Sequence, residues 1–161
     1  MEEKNFSLYT ASAAQTKQLG ALLAKAGRNG IVICMEGDLG TGKTTLTQGL
    51  AGFLHITDAA SPTFNLMNVY EGDKIIYHFD LYRLNSEEDL EEIGFYEYTQ
   101  EDGDIIIIEW PDRFLTAMPE DNLYIKIYAQ ENNRRKIIIT LNGKKYFTAY
   151  EELRKLCQFL R

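Results

Sequence analysis

The sequence predicts an α/β fold in three layers, with a mainly parallel central sheet flanked by helices and extended by antiparallel hairpin strands. Two observations indicate this class. Segments of strand and helix character alternate along the 161 residues, as they do in sheets with helices on their faces. One segment, Asp104–Glu109, contains four consecutive isoleucines, which is typical of a strand buried on both faces within a parallel sheet. Because no Pro- or Ser-rich linker divides the chain, we expect residues 1–161 to form a single domain.

The first third of the chain alternates between the two kinds of element. Phe6–Thr10 has the pattern of a short strand, and Ser12 is placed to cap a helix that runs to about Gly27. Ile31–Glu36 is an apolar strand. The helix that follows, over residues 45–54, has apolar side chains at helical spacing: Leu46, Leu50, Phe53 and Leu54.

The middle of the chain predicts a hairpin and a short helix. Residues 64–70 and 74–80 flank a Glu-Gly-Asp turn and have the composition of antiparallel strands. The segment from Ser86 to Gly94 begins with a capping serine, continues with acidic residues and ends in glycine. Those signals indicate a capped acidic helix.

The last third predicts a second hairpin and a closing helix. Residues 123–129 and 135–141 are strand-like, with a turn at Asn132–Asn133, and residues 147–161 have helical character. Cys34 falls in the second strand and Cys157 in the closing helix. We expect two buried residues here rather than a disulfide or a metal cluster.

The loop between the second strand and its helix carries the strongest motif. Residues 37–44 fit the phosphate-binding pattern GxxxxGK[ST], in which glycines let backbone N–H groups and a helix N-terminus face phosphate oxygens. Lys43 would reach the β and γ phosphates, and we expect it to be solvated before a ligand binds. Thr44 would offer its hydroxyl to Mg²⁺. The motif predicts a P-loop NTPase-like fold whose nucleotide contacts are Asp38, Leu39, Gly40, Thr41, Gly42, Lys43, Thr44 and Thr45.

Two acidic residues end predicted strands, and in open α/β sheets ligands gather at the carboxyl ends of strands. Glu109 ends the isoleucine strand. Its carboxylate and the Thr44 hydroxyl are the hard oxygen ligands that Mg²⁺ prefers; the alternative is an acid exposed at a strand end. Asp80 ends the strand over residues 74–80. It could orient an attacking or metal-bound water, or it could cap a turn.

Three smaller features have either two interpretations or a structural one. The hydroxyls of Ser61-Pro62-Thr63, in the link after the phosphate-loop helix, could approach a γ-phosphate or Mg²⁺; a proline-marked turn is the alternative. His55 and His78 have no partners at metal-ligand spacing, so we expect both to be structural.

Charge and hydropathy restrict the partners. The net charge of −7 is the wrong sign for tight, unaided binding of RNA or DNA. A basic cluster at residues 134–136 could meet a phosphate or a partner, or could form a solvated hairpin. No apolar run approaches the roughly 18 residues of a membrane span, and the N-terminus lacks a signal-peptide pattern. We therefore expect a cytoplasmic location and no membrane contact.

Four strings of residues resemble the TsaE (YjeE) family. They are GDLGTGKTT at residues 37–45, SPTF at 61–64, HFDLYR at 78–83 and EW at 109–110. The resemblance runs from about residue 12 to residue 135 and keeps the family's order and spacing. Members of this family are bacterial ATPases required for the threonylcarbamoyl modification of the adenosine beside the tRNA anticodon. Many enzymes share the phosphate loop, but the HFDLYR and EW strings are far more specific.

The resemblance implies an ATP and Mg²⁺ site with three catalytic residues. Lys43 and the neighbouring loop amides would hold ATP, and Thr44 and Glu109 would hold Mg²⁺. Asp80 would assist hydrolysis, so that Lys43, Asp80 and Glu109 form the catalytic set. Trp110 would lie beside the nucleotide or the partner surface.

The resemblance also implies weaker nucleotide contacts and a set of partners. Ser12 and Arg134 would be further contacts to the nucleotide. Thr41 stands where many relatives have alanine, a change that should leave the loop intact. The family implies action on a complex of TsaD-like and TsaB-like proteins, with tRNA reached only indirectly and slow hydrolysis without those partners.

Two other classes stay open. A small-molecule kinase would share the loop but needs an acceptor pocket and usually an arginine-bearing lid, and only Arg83 and Arg113 lie in the middle of the chain. A nucleotide-sensing interaction module would fit if Asp80 is structural. A GTPase is disfavoured because no Asn-Lys-x-Asp string is present to recognise guanine.

Overall fold

The chain folds around one seven-stranded sheet. A computed structural model describes residues 4–38, 40–57 and 66–160. Within them, the strands are β1 (Lys4–Thr10), β2 (Ile31–Glu36), β3 (Met67–Glu71), β4 (Ile75–Asp80), β5 (Ile105–Glu109), β6 (Asn122–Ala129) and β7 (Arg135–Asn142). Their order across the sheet is β1-β7-β6-β2-β5-β4-β3. The α/β class is confirmed.

The sheet is mixed rather than mainly parallel. The four inner strands β6, β2, β5 and β4 are parallel to one another, but β7 and β1 on one side and β3 on the other pair antiparallel. The expectation of a mainly parallel sheet is therefore right only for its centre. Short turns join β3 to β4 and β6 to β7, whereas β1 pairs with β7 from the other end of the chain. In the β6–β7 turn, Asn132 and Asn133 have φ of 58° and 62°, which asparagine tolerates better than most residues.

Helices cover both faces of the sheet. They are α1 (Ala13–Ala26), α2 (Lys43–Phe53), α3 (Glu87–Glu92), α4 (Phe95–Thr99) and α5 (Phe147–Leu156), with short 3₁₀ helices at Pro111–Ala117, Glu131–Asn133 and Gln158–Leu160. Ser12 caps α1 as predicted, accepting the Gln15 N–H at 3.2 Å. The closing helix ends earlier than predicted, because the chain tightens into a 3₁₀ turn after Cys157. No helix in the described ranges is long and apolar enough to cross a membrane.

The central strands have a hydrophobic core on each face. Alternate residues of β5 point to opposite faces: Ile105 and Ile107 pack with α1 and α2, and Ile106 and Ile108 pack with the cluster around Phe95. This confirms the burial predicted from the isoleucine run. The helices α1 and α2 approach so closely at Gly20 that a Cβ there would overlap the α2 backbone.

Phe53 and the two cysteines differ in burial. Of the four apolar residues noted at helical spacing in the phosphate-loop helix, Phe53 is 44% exposed, whereas Leu46, Leu50 and Leu54 are buried. Phe53 lies in the last turn of α2, on the rim of the surface between α1 and α2. Cys34 and Cys157 are both buried, as predicted.

The topology brings the predicted functional residues to one edge of the sheet. Strands β2, β4 and β5 are parallel neighbours, so their carboxyl ends meet there. The phosphate loop follows β2, and Asp80 and Glu109 are the last residues of β4 and β5. Asp80 is the register partner of Glu109.

Candidate functional site

The phosphate loop has the backbone that its glycines permit. Gly40 and Gly42 have φ of 81° and 111°, which a residue with a side chain rarely adopts. Thr41 donates both its N–H and its hydroxyl to the Asp38 carbonyl, at 3.3 and 2.9 Å. The Thr41 hydroxyl is therefore engaged in a hydrogen bond within the loop. Helix α2 begins shortly afterwards, at Lys43. Leu39 and the Ser61–Thr63 segment lie outside the described residues, as do residues 64 and 65 of the predicted hairpin.

Lys43 is buried, so the expectation of a solvated lysine is wrong. The residue is 6% exposed, because Glu109 and Trp110 cover it. Its Nζ lies 3.9 Å from Glu109 Oε1 and 4.1 Å from the centre of the Trp110 ring, and it has no hydrogen-bond partner among the described residues. Burial lowers the pKa of Lys43, with Glu109 and Asp80 opposing that shift. An ammonium group held in this way is available to an anion that enters the loop.

The two predicted acids differ in their surroundings. Glu109 is 4% exposed and accepts a hydrogen bond from His78 Nε2 at 2.6 Å. Asp80 is half-buried and accepts the Tyr82 N–H at 3.0 Å. Burial raises the pKa of Asp80; the Tyr82 N–H opposes this shift, and the nearby Glu109 charge adds to it. The structure thus brings Lys43, Asp80 and Glu109 together, as the sequence predicted.

His78 is the contact that the sequence interpretation missed. It was expected to be structural, and it is fully buried, but its partner is the acid in the predicted site. A signal was available. In a strand, alternate residues share a face, so His78 lies on the same face as Asp80 and, through the register of β4 with β5, on the face of Glu109.

A pocket of about 280 Å³ lies on the other side of the loop. Its lining brings predicted and unpredicted residues together: Ala11, Ser12, Ala13, Thr16, Gly42, Thr45, Asn133 and Arg135. Ser12 and Thr45, both predicted nucleotide contacts, therefore share this pocket with the loop glycine Gly42. We call it the Ser12 pocket.

Arg135, rather than Arg134, reaches the phosphate loop. Its Nε donates to the Thr41 carbonyl at 2.6 Å and its Nη2 to the Gly40 carbonyl at 3.2 Å. Arg134 instead lies over the Tyr9 ring, 4.9 Å from its centre, at a neighbouring pocket. Adjacent residues of an extended chain point to opposite sides, so the two arginines face different surroundings. The predicted start of the strand at residue 135 agrees with β7, but it does not say which of the two side chains faces the loop.

Comparison with known proteins agrees with this architecture. The family described as threonylcarbamoyl adenosine biosynthesis protein TsaE has a sequence model that matches residues 10–137, a range that contains the loop, both acids and Arg135. The chain belongs to the TsaE family.

Curated TsaE proteins resemble the chain over most of its length. The protein from Bacillus subtilis is 36% identical over 93% of this chain and 94% of that protein. TsaE from a Nostoc species is 42% identical over 84% of this chain and 86% of that protein. Among solved structures, the crystal structure of Bacillus subtilis YdiB matches with a TM-score of 0.81 and 31% identity, over 97% of this chain and 98% of that one.

In this TsaE chain the donor set fits a magnesium ion only in company with a nucleotide. Across the described ranges, no group of three or more His, Cys, Asp and Glu side chains could hold a metal. Mg²⁺ is usually bound by one or two protein oxygens together with substrate phosphates and water. Glu109 at the end of β5 and the Thr44 hydroxyl in the first turn of α2 are oxygen donors of that kind.

Proposed function

We propose that this chain is a Mg²⁺-dependent ATPase that supports the threonylcarbamoyl modification of tRNA. The observation that carries the proposal is Lys43: its buried Nζ lies at the junction of the phosphate loop and α2, 3.9 Å from Glu109 Oε1 and without a hydrogen-bond partner in the described part of the chain. An unsatisfied buried ammonium group is costly. Phosphate oxygens in the loop would satisfy it, and the loop amides and the α2 N-terminus favour the same charge.

The Ser12 pocket gives the rest of the nucleotide a place beside the loop. Its volume of about 280 Å³ is close to the lower limit for small-molecule sites, and it opens on Gly42 and Thr45. With the phosphates on the loop, the ribose and base would extend toward Ser12 and Asn133. Arg135 would act indirectly, by holding the Thr41 and Gly40 carbonyls.

Thr44 and Glu109 would hold the magnesium ion, directly or through water. When bound, Mg²⁺ would neutralise charge that develops on the β and γ phosphates. Glu109 suits this role because its Oε2 is engaged by His78 while its Oε1 faces Lys43. The carboxylate is thereby held at the phosphate end of the loop.

Asp80 would orient the water that attacks the γ-phosphate. It ends β4 beside Glu109, and its Tyr82 hydrogen bond fixes one carboxylate oxygen. A carboxylate that positions water is one of the recurring parts of phosphoryl-transfer sites. Such sites are often slow alone, because the charge of the transition state stays partly unneutralised.

Partners would supply what the isolated chain lacks. We propose that the chain acts on a complex of TsaD-like and TsaB-like proteins and reaches tRNA only through them. Its net charge of −7 supports this indirect route, because unaided tRNA binding needs positive charge.

The kinase alternative has less support. A kinase lid needs an arginine that is available to phosphates, but Arg113 donates to the Leu84 carbonyl at 2.7 Å and its guanidinium lies 6.0 Å from the centre of the Tyr82 ring. No observation favours a purely sensing module over an ATPase.

Phosphate release from ATP tests the proposal. Wild-type protein with Mg²⁺ and no added acceptor should release phosphate slowly, and the rate should rise when TsaD-like and TsaB-like proteins are added. EDTA should abolish release. No release under any of these conditions would contradict the ATPase assignment, and release that requires an added small-molecule acceptor would favour a kinase.

A further inference from the structure

We propose that His78 is a positioning residue that holds the Glu109 carboxylate in its working orientation. The inference rests on the proposed function, since it assigns Glu109 a metal-holding role. It adds a residue that neither the phosphate-loop motif nor the predicted acids contain. The contact that carries it is the hydrogen bond of 2.6 Å between His78 Nε2 and Glu109 Oε2.

The direction of this hydrogen bond follows from the chemistry of the two groups. An ionised carboxylate can only accept hydrogen bonds, so His78 Nε2 must carry the proton. The other ring nitrogen, Nδ1, faces the Tyr70 hydroxyl at 3.4 Å. That contact is long and contributes little, so the ring's principal polar partner is Glu109.

Burial makes this one hydrogen bond important. His78 is fully buried and Glu109 nearly so, so bulk water cannot take over if the ring is removed. A buried carboxylate that loses a donor loses a charge-assisted bond. Its two oxygens also have different neighbours, because Oε2 meets His78 and Oε1 faces Lys43. Without His78, the ion pair with Lys43 at 3.9 Å is the one contact of these two that still holds the carboxylate.

Strand register sets the donor's position. His78 and Asp80 are two residues apart on β4 and share a face, while Asp80 pairs with Glu109 across the β4–β5 ladder. The imidazole therefore approaches Glu109 from one step earlier in the sheet, on the side away from the strand ends. It contacts Oε2 from the sheet interior, whereas Oε1 faces Lys43 at the phosphate loop.

Two amide substitutions at position 78 distinguish the roles of the two ring nitrogens. In His78→Gln the amide group reaches the position of Nε2, toward Glu109; in His78→Asn it reaches only the position of Nδ1, toward Tyr70. The readout is Mn²⁺ affinity, measured by electron paramagnetic resonance in the presence of a non-hydrolysable ATP analogue. Groups that orient a metal ligand typically change metal affinity 10- to 100-fold, so His78→Asn should lose about 10-fold or more and His78→Gln about threefold or less.

Coupling to Glu109 tests whether His78 acts through that residue. The loss caused by His78→Asn should largely disappear in a Glu109→Gln background, because the positioned group is then already changed. Urea unfolding of both histidine variants checks that they fold. Equal loss of Mn²⁺ affinity in both, or wild-type affinity in both, would overturn the proposal.

Nuclear magnetic resonance of the unliganded protein gives a test that requires no change at His78. The chain has only two histidines, and His55 is exposed beside Asp73, so the two imidazole signals can be distinguished. His78 should show a slowly exchanging proton on Nε2, and Glu109→Gln should shift that signal. An unprotonated Nε2, or a signal indifferent to Glu109→Gln, would overturn the inference.

The two claims fail in different ways. Wild-type protein that binds neither the analogue nor Mn²⁺ would contradict the proposed function, and the imidazole signal would still decide whether His78 holds Glu109. If wild-type protein binds both the analogue and Mn²⁺, and His78→Asn and His78→Gln have the same Mn²⁺ affinity as each other, only the positioning role of His78 is contradicted.

Discussion

On the β5 side of the phosphate loop, Glu109 and His78 are buried and hydrogen-bonded to each other, whereas on the β7 side Ser12 and Arg135 line a pocket of about 280 Å³. The buried side is made by the ends of parallel strands in the sheet centre. The pocket side is made by a helix cap and by a hairpin strand of the antiparallel extension. Different parts of the fold therefore position the residues of the two sides.

The two sides of the loop suit different tasks: one suits metal binding and hydrolysis, and the other suits binding of the nucleotide. The strand-end side gathers two carboxylates and one ammonium group, and Glu109 and Lys43 are buried there. A metal ion and a developing charge require groups of this kind. On the pocket side, Arg135 donates hydrogen bonds to two carbonyls of the loop, and the remaining lining residues of the Ser12 pocket are uncharged. We therefore expect changes on the β5 side to affect metal binding and turnover, and changes on the β7 side to affect nucleotide affinity.

The largest effect should come from Lys43, which lies between the two sides. Lys43→Ala removes the charge that opposes the β and γ phosphates, and affinity for ATP should fall about 100-fold or more, roughly 2.8 kcal/mol. Titration calorimetry measures the affinity, and urea unfolding checks the fold. Unaltered ATP affinity in a folded variant would contradict the assignment of this loop as the phosphate-binding site.

Changing Glu109 should separate metal-dependent from metal-free binding. Glu109→Gln should weaken Mg²⁺-dependent nucleotide binding by about 10- to 100-fold and leave binding in EDTA nearly unchanged. Trp110 supplies the readout, because its ring contacts Lys43 and it is the only tryptophan. Equal losses with and without Mg²⁺ would mean that Glu109 supports the loop rather than the metal.

The adjacent arginines offer a matched comparison on the pocket side. Arg135→Ala removes two hydrogen bonds to loop carbonyls and should lower nucleotide affinity about tenfold, whereas Arg134→Ala should change it by about twofold or less. Calorimetry on both variants measures this. The reverse order would support the contact that the family resemblance implies for Arg134.

The smallest effect concerns stability and pH. Burial raises the pKa of Asp80 above its usual value of 3.8. A carboxyl group with a raised pKa in the folded state stabilises the fold most below its unfolded pKa, and that contribution is lost as the pH rises through the folded pKa. Asp80→Asn cannot ionise and still accepts the Tyr82 N–H. Its free energy of unfolding, relative to wild type, should therefore increase from about pH 4 upward and then level off.

Urea unfolding of the two proteins across this pH range checks the sign. A difference that stays constant with pH would mean that the Asp80 charge costs the fold nothing.

Local patterns in the sequence predicted most of the strands and the two acids at the sheet edge. The isoleucine run placed β5 in the sheet centre, and the loop motif placed Lys43 at the start of α2. These features depend on a few neighbouring residues, so local sequence determines them. The two antiparallel hairpins were also predicted, but the antiparallel pairing of β1 with β7 was not, because it joins segments that are distant in the chain.

The features of the site that the sequence did not predict have the same origin. The burial of Lys43 depends on Trp110 and Glu109, which are more than sixty positions away in the chain. The contact between His78 and Glu109 was not predicted, because partners of the histidine were considered only along the sequence and Glu109 lies on the next strand of the sheet. The contact of Arg135 with the phosphate loop depends on how β7 lies beside that loop, which is more than ninety positions away in the chain. Tertiary contacts, rather than local pattern, decide all three.

Steady-state ATP hydrolysis by Asp80→Asn and Arg135→Ala, with TsaD-like and TsaB-like partners present, tests the division between the two sides most directly. For Asp80→Asn we predict a kcat lower by about 100-fold with KM within about threefold of wild type. For Arg135→Ala we predict a KM higher by about tenfold with kcat nearly unchanged. A wild-type kcat in Asp80→Asn, or an equal loss of kcat in both variants, would contradict this division.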